Sequence, residues 1–182
     1  MDNGASSYLR YLGGDDEAFE NIIETYKDGL ILYLNGIVNN IFIAEDLMEE
    51  TFFKIAVKKP KYKGKSSFKT WLYAVGRNTA LDYLRKESKI SYIQNEESLV
   101  SEETFEKGYI KSEDKIIVHN ALKKINSLYR QILILVYIEN FSNREVEIIM
   151  KKNSRQIKNL LYRAKKAIKD ELLKENITYE DL

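Results

Sequence analysis

Phe141 to Lys169 reads FSNREVEIIMKKNSRQIKNLLYRAKKAIK, and its cap chemistry decides the fold. Asn140, just before it, sits where a helix must turn left-handed, a conformation that asparagine tolerates next best to glycine. Ser142 with Glu145 three residues later is a capping box opening a short helix, whose apolar side carries Val146, Ile149 and Met150. Lys151, Lys152 and Asn153 then make a turn. Asn153 or Ser154 caps a longer helix that turns Ile157, Leu160, Leu161, Ala164 and Ile168 inward. A short capped helix, a three-residue turn and a longer basic helix form a helix-turn-helix, whose second helix enters the major groove of duplex DNA N-terminus first.

The inward stripe leaves Ser154, Arg155, Gln156, Lys158 and Asn159 near the start of that helix, with Tyr162, Arg163 and Lys166 further along. Arginine, glutamine and asparagine offer the paired donors and acceptors that discriminate base edges, while serine and lysine hold phosphates. The first five are therefore the candidates for duplex contact, and Arg163 and Lys166 fall on the phosphate backbone. A merely solvated basic helix is the bland alternative. The cap, turn and cap that precede this helix argue against it.

Outward from this segment, three-and-four spacing persists, strand-like alternation is absent and the chain has one proline. The expected fold is all-α: two small helical domains joined by a flexible acidic linker, with the helix-turn-helix in the second. The first domain spans 1–88, the linker 89–112 and the second domain 113–182. In the first, Ala18 to Tyr33, extending toward Val38, forms an amphipathic helix that ends near Asn35-Gly36 or Asn39-Asn40. An acidic helix follows from Ala44 to Val57. Pro60 and Gly64 break the pattern inside a lysine-rich loop, and Ser67 caps a helix that runs to Lys86. In the second domain, one helix ends near Asn126, and Ser127 caps a largely buried helix through Ile138.

Charge is strongly segregated although the formal net charge is only +1. Acids dominate up to Val57, lysine and arginine from Lys58 to Lys89, acids again from Glu96 to Asp114, and no acid interrupts Lys151 to Lys169. Two basic surfaces separated by an acidic connector point to two nucleic-acid contacts. On the acidic helix, Ala44, Leu47, Met48, Thr51, Phe52, Ile55 and Ala56 make one buried stripe. The opposite face carries Asp46, Glu49, Glu50 and Phe53, three carboxylates around a phenyl ring, which is the chemistry of a docking patch for a basic helical partner. Tyr62, Lys63, Lys65, Ser66 and Ser67 on the loop, with Tyr73, Arg77, Asn78, Arg85 and Lys86 beyond it, mix cations, amides and rings in a way that suits unstacked single-stranded bases. Trp71 shares a stripe with Phe68, Leu72, Val75 and Thr79 and is assigned to the core.

Other functions find little support. No cysteine is present, which removes disulfides, thiolate catalysis and cysteine-based zinc sites. His119 has no catalytic partner in sequence, the carboxylates lack metal-ligand spacing, and Gly13-Gly14 precedes acids that would repel phosphate. The expectation is a cytoplasmic, non-enzymatic chain with no catalytic residues, cofactor or metal, no signal peptide and no membrane insertion.

The residues Ala44-Glu-Asp-Leu-Met-Glu-Glu-Thr-Phe52, Ser67-Phe-Lys-Thr-Trp-Leu-Tyr73, Arg77-Asn78 and Ala80-Leu-Asp-Tyr-Leu-Arg85 resemble the extracytoplasmic-function (ECF) sigma factors of the sigma-70 family. Ile125 to Ala164 resembles the same family's minus-35 domain. The resemblance implies a promoter-specificity subunit of bacterial RNA polymerase. It implies that Asp46, Leu47, Glu49, Glu50 and Phe53 dock on the clamp helices of the largest subunit of the core polymerase. It further implies that the loop from Tyr62 to Ser67 captures a flipped minus-10 base, with Arg77, Asn78 and Arg85 nearby. The minus-35 set is Ser154, Arg155, Gln156, Lys158, Asn159, Arg163 and Lys166. Many relatives are held inactive by an anti-sigma factor, so a separate inhibitor joins core polymerase and promoter DNA among the implied partners. Asn126 and Ser127 depart from the family's usual proline and glutamate, Glu147 from a small residue, and Lys151-Lys152 from a glycine and an apolar residue. The competing interpretations are a free-standing helix-turn-helix regulator and a protein-only helical adaptor; the acidic docking face favours the sigma subunit.

Overall fold

The computed structural model describes residues 3–94 and 113–174, and every regular element among them is helical. Helix α1 (Asn3–Leu12) is followed by α2 (Asp16–Val38), α3 (Ile41–Lys58) and α4 (Phe68–Gln94). The second half contains α5 (Glu113–Lys124), α6 (Ser127–Leu133) running into a π-helical turn (Ile134–Ile138), α7 (Asn143–Met150) and α8 (Ser154–Lys174). From residue 95 on, the expected linker lies outside the described residues.

Local chemistry fixes the boundaries. Asp15 caps α2 by accepting from the Ala18 amide at 3.2 Å and is itself held by Arg10 Nε at 2.8 Å. Two adjacent asparagines make the next corner: Asn39 ends α2 at φ 55°, and Asn40 caps α3 by accepting from the Ile43 amide. Asn126, rather than Ser127, caps α6. The Ser127 hydroxyl is committed elsewhere, reaching the Gly36 and Ile37 carbonyls at the end of α2. Asn140 is left-handed at φ 57°, and both hydrogen bonds of the Ser142–Glu145 capping box are present.

Helix α1 has no counterpart in the sequence-based expectation. It is held by Tyr8 and Tyr11, whose hydroxyls donate to the carbonyls of Pro60 at 2.8 Å and Ala56 at 3.0 Å. The Tyr8 ring lies 5.5 Å from both Phe68 and Trp71. Gly4 lets α1 approach α4 closely, since a Cβ there would stand 2.6 Å from the Phe68 ring. Helix α4 continues to Gln94 instead of ending near Lys86.

The two halves share one continuous apolar cluster. Ile22, Leu30, Tyr33, Leu34, Leu47, Ile55, Phe68 and Leu72 fill the first half, and Ile132, Ile134, Leu135, Val146, Ile149, Ile157 and Ala164 the second. Bare backbone at Gly36 admits Ile134, whose Cδ1 would lie 2.7 Å from an added Cβ. Beside it, the buried Arg130 guanidinium bonds the Leu122, Lys123 and Ile125 carbonyls at the end of α5 and the Asn39 side chain at the end of α2. It thus satisfies helix-end acceptors from both halves.

Removing the cap of α7 isolates one of these contributions. Ser142→Ala is expected to cost about 1 kcal/mol, read as a thermal midpoint lowered by roughly 2–4 °C for a chain of this length.

Candidate nucleic-acid and partner interfaces

Helix α3 packs on α2 and α4 and presents its remaining side to solvent. Phe42, Asp46, Glu49, Phe53 and Val57 follow one another at three-and-four spacing and are all exposed. Phe42 is 60 %, Phe53 66 % and Val57 62 % exposed, and they share one side of the helix instead of being scattered over it. Only the middle of this stripe is legible in the sequence, because Phe42 and Val57 at its apolar ends carry no charge to mark the face. Glu50 lies at its edge and pairs with Lys54 at 2.7 Å. Leu47 corrects the expectation: it is 2 % exposed and packs into the core beneath the stripe, so it supports the face without being part of it.

The loop and helix expected to meet single-stranded bases divide into two groups. Lys63, Lys65 and Arg85 are exposed, Arg85 paired with Asp82 at 2.7 Å. Tyr62 is half-buried, its ring against Phe68 and Trp71 and its hydroxyl donating to the Ser66 carbonyl, which closes the loop on itself. The second group is covered by the helix-turn-helix half. Ser67 donates to the Glu145 carboxylate at 3.2 Å, and Asn78 accepts from Lys151 Nζ at 2.9 Å. Arg77, expected on the surface, is 8 % exposed, and neither its Nε nor the neighbouring Tyr33 hydroxyl has a hydrogen-bond partner among the described residues. Tyr73, expected among the rings that suit single-stranded bases, is fully buried: its ring meets Phe141 edge-on at 4.9 Å and its hydroxyl donates to Glu139 at 2.6 Å. Burial above all, then the Glu139 charge, pushes the Tyr73 hydroxyl pKa far up, so it remains a donor.

On α8, Ser154, Arg155, Gln156, Lys158, Asn159, Arg163 and Lys166 are all exposed, while Ile157 and Ala164 anchor the inner side. Asn153 is the cap. Its side chain accepts from the Gln156 amide at 2.9 Å, and the Gln156 side chain accepts from the Asn153 amide at 3.0 Å. Gln156 therefore spends its carbonyl on the helix end, leaving its amide NH2 for outside contacts. Lys151 holds the turn at φ 52°, where the family's glycine would be unstrained.

Comparison with known proteins finds two matched regions. The profile for sigma-70 region 2 matches residues 22–90 and that for sigma-70 region 4 matches 115–168. The chain is 25 % identical over 170 residues to the ECF RNA polymerase sigma factor SigW of Bacillus subtilis, covering 87 % of this chain and 91 % of that one. It is 26 % identical over 151 residues to SigM of the same organism, covering 82 % of this chain and 92 % of its relative. Among solved structures, the sigma factor RpoE in complex with the anti-sigma factor NepR from Bartonella quintana superposes with a TM-score of 0.74 at 22 % identity, over 86 % of this chain and 96 % of that one. CnrH in complex with the cytosolic domain of CnrY gives 0.67 at 15 % identity, over 97 % and 100 %. An all-helical chain with a region 2 surface, a region 4 helix-turn-helix and these relatives belongs to the sigma-70 family, as an ECF sigma factor. It is a promoter-recognition subunit of RNA polymerase. Among the described residues no helix is long and apolar enough to cross a membrane.

Glu145 links the helix cap to the covered face. Burial opposes its ionisation, but hydrogen bonds from Ser142, Thr70 and Ser67 outweigh that and hold its carboxyl below the ordinary glutamate value. A depressed folded-state value contributes stability that is fully present above the unfolded pKa, about 4.3, and is lost as pH falls through the folded value. Thermal midpoints of the wild type and Glu145→Gln, compared from neutral pH downward, are expected to converge in acid. A gap that stays constant below pH 4 would contradict this linkage.

Proposed function

We propose that the three surfaces divide the work of promoter recognition. The outer side of α3 docks core polymerase at the clamp helices of its largest subunit, through Asp46, Glu49, Glu50 and Phe53, with Phe42 and Val57 extending the apolar contact. The observation that carries this assignment is the exposed stripe itself, apolar at both ends and in the middle with carboxylates between. Rings and aliphatic groups supply the desolvated contact, and carboxylates select a basic helix and speed its approach.

The surface around Tyr62, Lys63, Lys65, Ser66, Ser67, Asn78 and Arg85 takes the opened minus-10 strand. Exposed lysines on the loop hold phosphates, and the hydroxyls and amide offer partners to an unstacked base. Arg77 acts from beneath, as a buried cation. Helix α8 reads the minus-35 duplex, with Arg155, Lys158 and Asn159 best placed near its N-terminus and Arg163 and Lys166 along the backbone. The domain limits follow the same split: 1–88 for region 2, 89–112 for the connector, whose first residues continue α4 to Gln94, and 113–182 for region 4. Catalysis of RNA synthesis belongs to the polymerase, and the chain works in the cytoplasm. A separate anti-sigma protein is a fitting regulator, because the RpoE relative above was captured with an anti-sigma factor.

Reversing the docking charges tests the first assignment. Asp46→Arg combined with Glu49→Arg is expected to weaken binding to core polymerase at least tenfold, measured by fluorescence anisotropy, while helicity is unchanged. Undiminished binding would refute the α3 interface. For α8, Lys158→Ala and Lys166→Ala are expected to lower duplex affinity across sequences and each to flatten the salt dependence by about one counterion. Arg155→Ala is expected instead to relax base preference at one position, read by sequencing holoenzyme-selected promoters.

A further inference from the structure

The segment 59–67, between α3 and α4, forms neither helix nor strand, so its shape depends on what its neighbours hold. Lys61, Lys63 and Lys65 are exposed, whereas Pro60 and Tyr62 are half-buried. The cations thus face solvent while the inner side of the segment rests on α1 and the start of α4. Tyr8 of α1 joins Tyr62, Phe68 and Trp71 in one cluster of rings, with neighbouring centroids 5.4 to 5.8 Å apart.

Pro60 leaves two backbone groups in need of partners, and α1 supplies both. A continuing α3 would bond the Ala56 carbonyl to the amide of residue 60, which proline lacks. Tyr11 replaces the missing donor, its hydroxyl reaching the Ala56 carbonyl at 3.0 Å. The carbonyl is the one hydrogen-bonding group on the backbone of Pro60 itself, and the Tyr8 hydroxyl takes it at 2.8 Å. Between the two, Lys59 is left-handed at φ 42°, a conformation that a lysine keeps where its surroundings hold it, and its ammonium lies 4.7 Å over the Tyr11 ring. Tyr8 is fully buried and Tyr11 nearly so. Neither belongs to the docking stripe of α3 or to the residues assigned to the promoter strand and duplex.

We propose that Tyr8 and Tyr11 are positioning residues for promoter-strand capture: α1 braces the 59–67 segment in the shape that receives an unstacked base, and so sets strand affinity and base choice without touching DNA. A segment that must be ordered on binding gives up affinity, and one held loosely discriminates poorly between ligands. The role rests on the minus-10 assignment proposed above.

Tyr8→Phe, Tyr11→Phe and the double variant keep the rings and remove only the donors. Each is assembled with core polymerase and presented with single-stranded oligonucleotides randomised over the minus-10 element. The double variant is expected to bind the strand about tenfold more weakly, the scale of a lost buried hydrogen bond, while core polymerase and minus-35 duplex are bound within about twofold of wild type. Sequencing the retained strands is expected to show base preference flattened at one or two adjacent positions and intact elsewhere, and amide exchange over 59–67 is expected to quicken. Unchanged strand affinity and preference overturn the positioning role. An equal loss of strand, duplex and core binding overturns it too, because that pattern marks a general loss of folding; the single variants carry the same comparison if the double variant does not fold. Lys63→Ala combined with Lys65→Ala is the reference. Weakened strand binding there, with none in the tyrosine variants, sinks the brace alone, whereas no loss in either set refutes the minus-10 assignment and the brace with it.

Discussion

The carboxylate of Glu145 is the point on which both halves of the molecule depend. One oxygen takes the Ser142 amide and hydroxyl and thereby starts α7, and the other takes Ser67 and Thr70 at the start of α4. A single ionised group thus sets the entry of the helix-turn-helix and its seat on the first half. Charge-assisted bonds of this kind are about twice as strong as neutral ones and are directional. The same group that shapes the duplex-reading motif therefore also decides which side of α4 is visible. Glu139 and Arg130 extend the seam on either side, one through Lys69 and Tyr73, the other through the ends of α2 and α5. Polar contacts ring an apolar join made by Ile134 against Gly36 and Phe141 against Tyr73.

Much of the fold was legible because its signals are local. Caps at Asn140, Ser142 and Asn153 are readable from three or four neighbouring residues, and all three behave as their chemistry dictates. The amphipathic stripes of α2, α3 and α8 follow from period alone. Helix α1 was not legible, since its stability comes from Tyr8 and Tyr11 reaching carbonyls 52 and 45 residues away. The cap of α6 was assigned to Ser127, one residue late, because a distant partner that no local pattern shows, the end of α2, claims that hydroxyl and leaves the cap to Asn126.

The interfaces show the same limit. Carboxylates announced the exposed side of α3, whereas Phe42 and Val57 were silent because an apolar residue at a helix end looks like core until the packing is known. Leu47 failed in the opposite sense, appearing in both the buried stripe and the docking set; its 2 % exposure resolves the conflict. Arg77 and Tyr73 were placed outward on their polarity; Tyr73 is covered by Glu139 and Phe141 of the second half, and Arg77 is buried beside Tyr33 within the first. Gln156 looked like a base reader by type, but reciprocal bonding with Asn153 gives half of its side chain a different job.

The widened turn after α6 sets the angular phase of everything downstream. The Glu139 amide bonds the Ile134 carbonyl at 2.9 Å, five residues back where an α-helix would reach four. Each residue advances a helix by about 100°, so a regular helix with one residue fewer would rotate Glu139 away from Tyr73 and Lys69 and carry α7 and α8 round with it. The extra residue works as an indexing notch: it aims the tail of one helix at a particular side of another, and it fixes where a duplex held by α8 would point relative to the first half of the molecule.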